Sequence, residues 1–230
     1  MAHVHTLLDK LGYQFKDEQL LDEALSHRSS GSCNYERLEF LGDGFLNFVI
    51  ATELFHHRTD EDEGALSRLR ASLVRESTLA DIARELNLSD YLKMGVGELR
   101  SGGFKRDSIL SDVVESLIGA VFIEAGYDTA RLLVLRLYGN RIAELPPAYQ
   151  LKDPKTRLQE KLQGQGLERP DYEVIKTSGK SHDMQFTVRC TLSEPALQVS
   201  ASASSRRKAE QAAARLLLER IDPEIDEKQT

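Results

Sequence analysis

Cysteine is scarce: only Cys33 and Cys190 occur in 230 residues. Two such distant thiols give neither a disulfide framework nor a paired-cysteine zinc site, so both are expected to stay reduced. Long apolar runs are also missing. The most apolar stretch, residues 113–125, is interrupted by Glu115 and Glu124 and falls short of the roughly 20 residues that cross a bilayer. No membrane partner is therefore expected. The first ten residues lack a basic segment leading into an apolar one, which argues against a secretory signal and for the cytoplasm. The glycine-rich segments Gly95-Val96-Gly97-Glu98 and Ser101-Gly102-Gly103 do not follow a strand with phosphate-loop spacing. They read as turns near an active site rather than as a nucleotide cradle, and no small-molecule cofactor is expected.

Positive charge is in deficit too, with 30 Lys and Arg against 37 Asp and Glu, a net of -7. Taken alone this speaks against a polyanionic partner. The distribution reverses the inference: residues 152–221 hold 13 Lys and Arg against 9 Asp and Glu, leaving 17 against 28 elsewhere. A mildly basic C-terminal unit is joined to a strongly acidic N-terminal one. The acidic unit would need metal ions or its basic companion to approach a phosphate backbone.

The acid is concentrated where it is least expected. In Asn34-Tyr35-Glu36-Arg37-Leu38-Glu39-Phe40-Leu41-Gly42-Asp43, helical spacing places Glu36, Glu39 and Asp43 on one face of an otherwise apolar helix. Stacked like charges cost about 0.2–0.5 kcal/mol per pair in an isolated helix, and burial beside apolar neighbours raises the cost. Asp112 and Glu115 repeat the anomaly at i, i+3 in a second apolar helix. Either cluster alone also reads as a solvated acidic face. Packed face to face, the two helices would gather four carboxylates, a donor set suited to a hard divalent cation such as Mg2+. Neither helix carries the Glu-x-x-His pair of a helical-bundle di-metal oxidoreductase.

Glu36-Arg37-Leu38-Glu39-Phe40-Leu41-Gly42-Asp43 resembles the signature of bacterial ribonuclease III, and Asp112-Val113-Val114-Glu115-Ser116-Leu117-Ile118-Gly119 resembles that family's second catalytic segment. The similarity runs over roughly residues 5–221. It implies a Mg2+-dependent endoribonuclease of double-stranded RNA, with Mn2+ able to substitute. The implied metal ligands are Glu39, Asp43, Asp112 and Glu115, with Asp43 and Glu115 as the catalytic pair. Glu36 would lie near the substrate or a dimer contact, and Glu63 close to the cleavage site. The family forms homodimers that cut both strands with a stagger, leaving 5′-phosphate and 3′-hydroxyl ends with a short 3′ overhang. It serves the processing of ribosomal RNA precursors and of some messenger and transfer RNAs. A twofold partner would also cover Phe40 and Phe45. One departure is Gly44, where the family more usually has Ser or Ala. His27, in the segment before the signature, reads as a hydrogen-bonded structural residue.

Apolar spacing predicts helices over residues 4–11, 17–25, 36–57, 65–73, 77–86 and 109–125, with Ser77 as an N-cap, a break at Gly126, and a last helix capped by Asp128. This gives a multi-domain chain whose all-α N-terminal nuclease domain covers residues 1–145. Residues 146–152, opening on Pro146-Pro147, form a linker, and residues 222–230 a polar tail. Between them, residues 153–221 change period. A helix starting at Asp153-Pro154 leads to strands at 172–177, 184–192 and 197–203 and a final helix at 206–221. This α-β-β-β-α order, an α+β domain, resembles the double-stranded-RNA-binding domain. By that resemblance Thr156, Gln159 and Glu160 would meet one minor groove and His182 the next. Arg206, Arg207 and Lys208 open a helix whose dipole also favours phosphate. His182-Asp183 also looks like half of a metal-phosphohydrolase pair, but no matching upstream histidines support it.

Overall fold

The computed structural model describes residues 2–179, 183–194 and 196–221. The chain divides after Ala148 into two compact units. No described helix is long and apolar enough to cross a membrane.

The first unit is helical: α1 (Ala2–Leu11), α2 (Glu18–Ala24), α3 (Glu36–His57), α4 (Glu63–Val74), α5 (Glu76–Leu86), α6 (Val96–Arg100) and α7 (Asp107–Tyr138). Its core forms where α3 and α7 cross, with Leu46, Val49, Ile50, Val113, Val114, Leu117, Ile118 and Val121 all buried. Small residues let the two backbones meet: a Cβ on Gly119 would lie 2.2 Å from the Leu38 carbonyl oxygen. Several buried polar side chains of the unit are tied to backbone or to each other. Ser116 Oγ donates to the Ala24 carbonyl at 2.6 Å, and Tyr138 Oη to that of Leu73 at 3.1 Å. Buried Glu53 accepts from Arg131 Nε at 3.1 Å and Nη2 at 2.5 Å.

Three expectations do not hold. Ser77 does not cap α5: that helix begins at Glu76, and Arg75 ends α4 and starts α5 with no side-chain cap. The turn is fixed instead by Thr78 Oγ1 donating to the Ser72 carbonyl at 2.9 Å. Asp128 is no cap either. Gly126, at φ 77°, is the single non-helical residue in α7, so helical backbone resumes before Asp128 is reached. Phe45 is buried against the rings of Phe122 and Tyr127, at centroid distances of 4.8 and 5.6 Å, and needs no partner to cover it. Phe40 is 82% exposed.

The second unit runs α8 (Pro154–Gly164), β1 (Asp171–Ser178), β2 (Gln185–Leu192), β3 (Leu197–Ala203) and α9 (Arg206–Ile221). The sheet is antiparallel in the order β1-β2-β3, pairing Val174 with Val188 and Cys190 with Val199. Strand alternation sends Val188, Cys190 and Leu192 inward, and Cys190 and Leu192 share a core with Leu158 and Leu162 of α8 and Ala213, Ala214 and Leu217 of α9. Asp153 caps α8, with Pro154 at the first position, as its spacing predicts. His182 and residues 222–230 lie outside the described residues.

Candidate active site and RNA-binding face

Glu39 projects from the first turns of α3, and Asp112 and Glu115 from the first turns of α7. The helix crossing brings one carboxylate oxygen of each within 4.8 Å of the others. All three are partly buried, and the charge of Arg28 only partly offsets the repulsion felt by Glu39. Burial, then the charges of Asp112, Glu36 and Asp43, pushes the Glu39 carboxyl up to about 7. Burial, then Asp43, Asp112 and Glu39, pushes Glu115 up to about 8. Burial raises Asp112 as well, with the charge of Glu76 at the start of α5 adding to it, against the lowering effect of bonds from Tyr35 and Ser111. A site whose acids resist ionisation in the bare protein is one that a hard cation would stabilise strongly, so the donor set fits such an ion.

Asp43 is close enough to raise Glu115 but stands outside this trio. It is exposed, and its Oδ1 accepts from Asn47 Nδ2 at 2.8 Å. Glu36 is also exposed and pairs with Arg28 at 3.5 Å. Glu63, the first residue of α4, is exposed and accepts from Ser67 Oγ at 2.9 Å, apart from the clustered carboxylates.

Glu39 and Asp112 border a polar cleft of about 250 Å³ whose lining includes His27, Arg28, Tyr35, Glu98 and Arg106. Sequence reasoning singled out His27, as structural, and the segment of Glu98, as a turn near the active site; Glu98 does line the cleft, but from the short helix α6 rather than a turn. His27 is buried, and its Nδ1 accepts from the Ser29 backbone N–H at 3.1 Å. Buried Tyr35 turns its hydroxyl toward Asp112 Oδ2 at 3.4 Å. The only sequence signal for Tyr35 is its position just before α3. Arg106 pairs with Glu98 at 2.9 Å, and nothing in the separate segments announces that they share a wall.

Residues 17–142 match the family model described as Ribonuclease-III-like, and residues 154–221 the one described as double-stranded RNA binding motif. Ribonuclease 3 of Alkalilimnicola ehrlichii is 54% identical over 94% of this chain and 95% of its own. The chain belongs to the ribonuclease III family. Ribonuclease 3 of Vibrio vulnificus strain YJ016 is 51% identical over 95% of this chain and 97% of its own. Among solved structures, the nuclease domain of ribonuclease III from Campylobacter jejuni matches with a TM-score of 0.60 and 45% identity, over 62% of this chain and 99% of that one. The protein is thus an endoribonuclease of double-stranded RNA, from a family of metal-dependent nucleases.

In the ribonuclease III chain's second unit, Thr156 is exposed at the start of α8, its hydroxyl donating to Asp153 Oδ2 at 2.7 Å. Gln159 is half-buried, and exposed Glu160 accepts from Lys152 Nζ at 2.6 Å. Arg206, Arg207 and Lys208 are all exposed in the first turn of α9, where Ser205 Oγ accepts the Lys208 backbone N–H at 3.2 Å. Arg206 Nε donates to Glu210 Oε1 at 2.9 Å. Among the described residues, the side chains of Arg207 and Lys208 have no ion-pair partner.

Proposed function

We propose that Glu39, Asp112 and Glu115, joined by Asp43, hold Mg2+, with Mn2+ able to replace it, and that Asp43 and Glu115 are the catalytic pair. The observation that carries this reading is the convergence of three carboxylate oxygens within 4.8 Å, with Glu39 and Glu115 raised to about 7 and 8. Bound there, Mg2+ supplies Lewis acidity at the scissile phosphate and makes water a competent nucleophile at neutral pH. The chain supplies the rest. Its carboxylates ionise to take the cation and fix it against the duplex backbone. Tyr35 limits the rotation of Asp112, and the buried apolar wall beneath, Val113, Val114 and Leu117, keeps both α7 carboxylates from turning away.

Duplex RNA is recognised by shape, through phosphates and 2′-hydroxyls across the wide minor groove. We assign that work to Thr156, Gln159, Glu160, Arg206, Arg207, Lys208 and His182 in a domain of residues 153–221, linked by 146–152 to a nuclease domain of 1–145. In second rank we assign Glu36 to the neighbourhood of the substrate or the dimer contact and Glu63 to that of the cleavage site. Two copies act together, a reading supported by the similar Campylobacter jejuni nuclease domain, which is described as having structural flexibility in a region involved in dimer formation. Here exposed Phe40 and Phe48 on α3 are apolar surface suited to a second copy. The products are 5′-phosphate and 3′-hydroxyl ends with a short 3′ overhang. The cellular work is processing of ribosomal RNA precursors and of some messenger and transfer RNAs in the cytoplasm, where two free thiols, Cys33 and Cys190, stay reduced.

The test is cleavage of a perfectly paired RNA duplex of more than two helical turns by wild type and Glu115→Ala, with Mg2+ and with a chelator, while binding is followed separately. Cutting by wild type with Mg2+ only, and binding without cutting by the variant, is the expected result. Binding without cutting by wild type under every metal would leave a double-stranded-RNA-binding protein and sink the assignment.

A further inference from the structure

The N-termini of α8 and α9 are stitched together side by side. Gln211 Nε2 donates to Asp153 Oδ1 at 2.7 Å, and Gln211 Oε1 accepts the Lys155 backbone N–H at 3.1 Å. Next to this pair lies Glu210, its side chain only 13% exposed. Its Oε2 accepts from Lys155 Nζ at 2.7 Å and its Oε1 from Arg206 Nε at 2.9 Å. The Lys155 ammonium also sits 4.3 Å from the centre of the Tyr172 ring. Glu210 therefore clamps one cation from each helix. Arg207 and Lys208 beside it have no ion-pair partner among the described residues.

We infer that Glu210 is a specificity-determining residue of the RNA-binding unit. By holding Lys155 and Arg206 in fixed places it restricts the cations free to adapt to any polyanion, and so favours duplex RNA over duplex DNA. The inference rests on the reading that α8 and the start of α9 face RNA.

The physical basis is the difference between charge and shape. Phosphate contacts supply affinity without sequence or form preference, and each additional neutralised phosphate steepens the dependence on salt. Recognition of A-form RNA instead requires contacts at spacings set by its grooves. A cation on a long flexible stem reaches phosphates in either geometry, whereas one locked to a buried carboxylate presents its remaining N–H groups in one place. Lys155 and Arg206 also hold the Glu210 carboxyl below the usual range, so the clamp stays ionised at neutral pH. Glu210 is not what holds the helices together: the Gln211 bonds and the core of Leu158, Leu162, Ala213, Ala214 and Leu217 remain without it.

Glu210→Gln in the full chain, studied with a chelator so that nothing is cut, tests this. Affinity for a duplex RNA and for a duplex DNA of matching length and sequence is measured across a salt series, with thermal melting as a check on folding. The RNA-over-DNA ratio should fall about three- to ten-fold, with the DNA salt slope steeper by about 0.9 for one added phosphate contact. Adding Lys155→Gln to Glu210→Gln should return the ratio toward wild type. An unchanged ratio, or equal weakening on both duplexes, would overturn the inference and leave Glu210 a purely structural residue. A wild type without preference for RNA would overturn the RNA-face reading itself, an outcome visible before any variant is made.

Discussion

A Cβ on Gly42 would lie 1.8 Å from the carbonyl oxygen of Glu115, so the helix bearing Glu39 and the helix bearing Glu115 are in backbone contact at that point. Gly42→Ala must push α3 off α7, and overpacking of this kind costs about 3 kcal/mol. Denaturant titration should show that loss, with cleavage falling as the carboxylates separate. Gly44, two residues on, is the contrast. A Cβ there meets nothing within 4 Å, so Gly44→Ala should stabilise the protein by about 0.5–1 kcal/mol through helix propensity. A Gly44→Ala protein less stable than wild type would contradict this.

Metal-free protein should lose stability as the pH rises. Glu39 and Glu115 bind protons more tightly folded, at about 7 and 8, than at the ordinary 4.5. Their contribution is complete below about pH 4.5 and is lost as pH passes through 7 to 8. Glu115→Gln should therefore melt close to wild type at pH 5 and above it at pH 8 in chelator. Divalent cation at pH 8 should raise the wild-type melting temperature and leave Glu115→Gln nearly unmoved. Parallel melting curves at both pH values would refute this linkage.

Phe40 and Phe45 should separate assembly from folding. Phe40→Asp alters a largely exposed ring, so it should dissociate the proposed dimer, read by light scattering, with little change in monomer melting. Phe45→Ala empties a packed site and should cost about 3–5 kcal/mol. A Phe40→Asp protein that remains dimeric would place the contact elsewhere.

Arg131→Met strands the Glu53 carboxylate, whose side chain is only 9% exposed and whose other neighbour is His57 at 3.6 Å. Breaking a buried pair from one side costs about 3–5 kcal/mol. Because Arg131 itself is partly accessible, about 2–3 kcal/mol is expected in urea unfolding. Pairing it with Glu53→Leu should recover most of the loss, and failure to recover would show that packing of the Arg131 stem matters more than charge.

How much of the fold and site is legible in the sequence depends on whether the cause is local. Acids inside apolar helices are a local anomaly, so Glu39, Asp112 and Glu115 stand out from the string of residues alone, and so does the Asp153-Pro154 helix start. Phe40 and Phe45 look alike in a string of letters. Which one faces inward is fixed by where α7 crosses α3, and the reading that grouped them was wrong for Phe45. Ser77 had the right chemistry for a cap, but the abutment of α4 and α5 at Arg75 decides where the second helix begins. Tyr35 against Asp112, and Lys155 against Glu210, are meetings of segments far apart in the chain, and no residue type at either position announces its partner.

The contact between Gly42 and Glu115 also bears on when the enzyme becomes active. Glu39 and Asp43 belong to an early segment and Asp112 and Glu115 to a much later one, and neither pair alone makes the proposed metal-binding set. A chain still being synthesised, with α7 not yet released to close on α3, carries only half of the donors. If those four carboxylates are the metal site, cutting requires the helical unit to be complete.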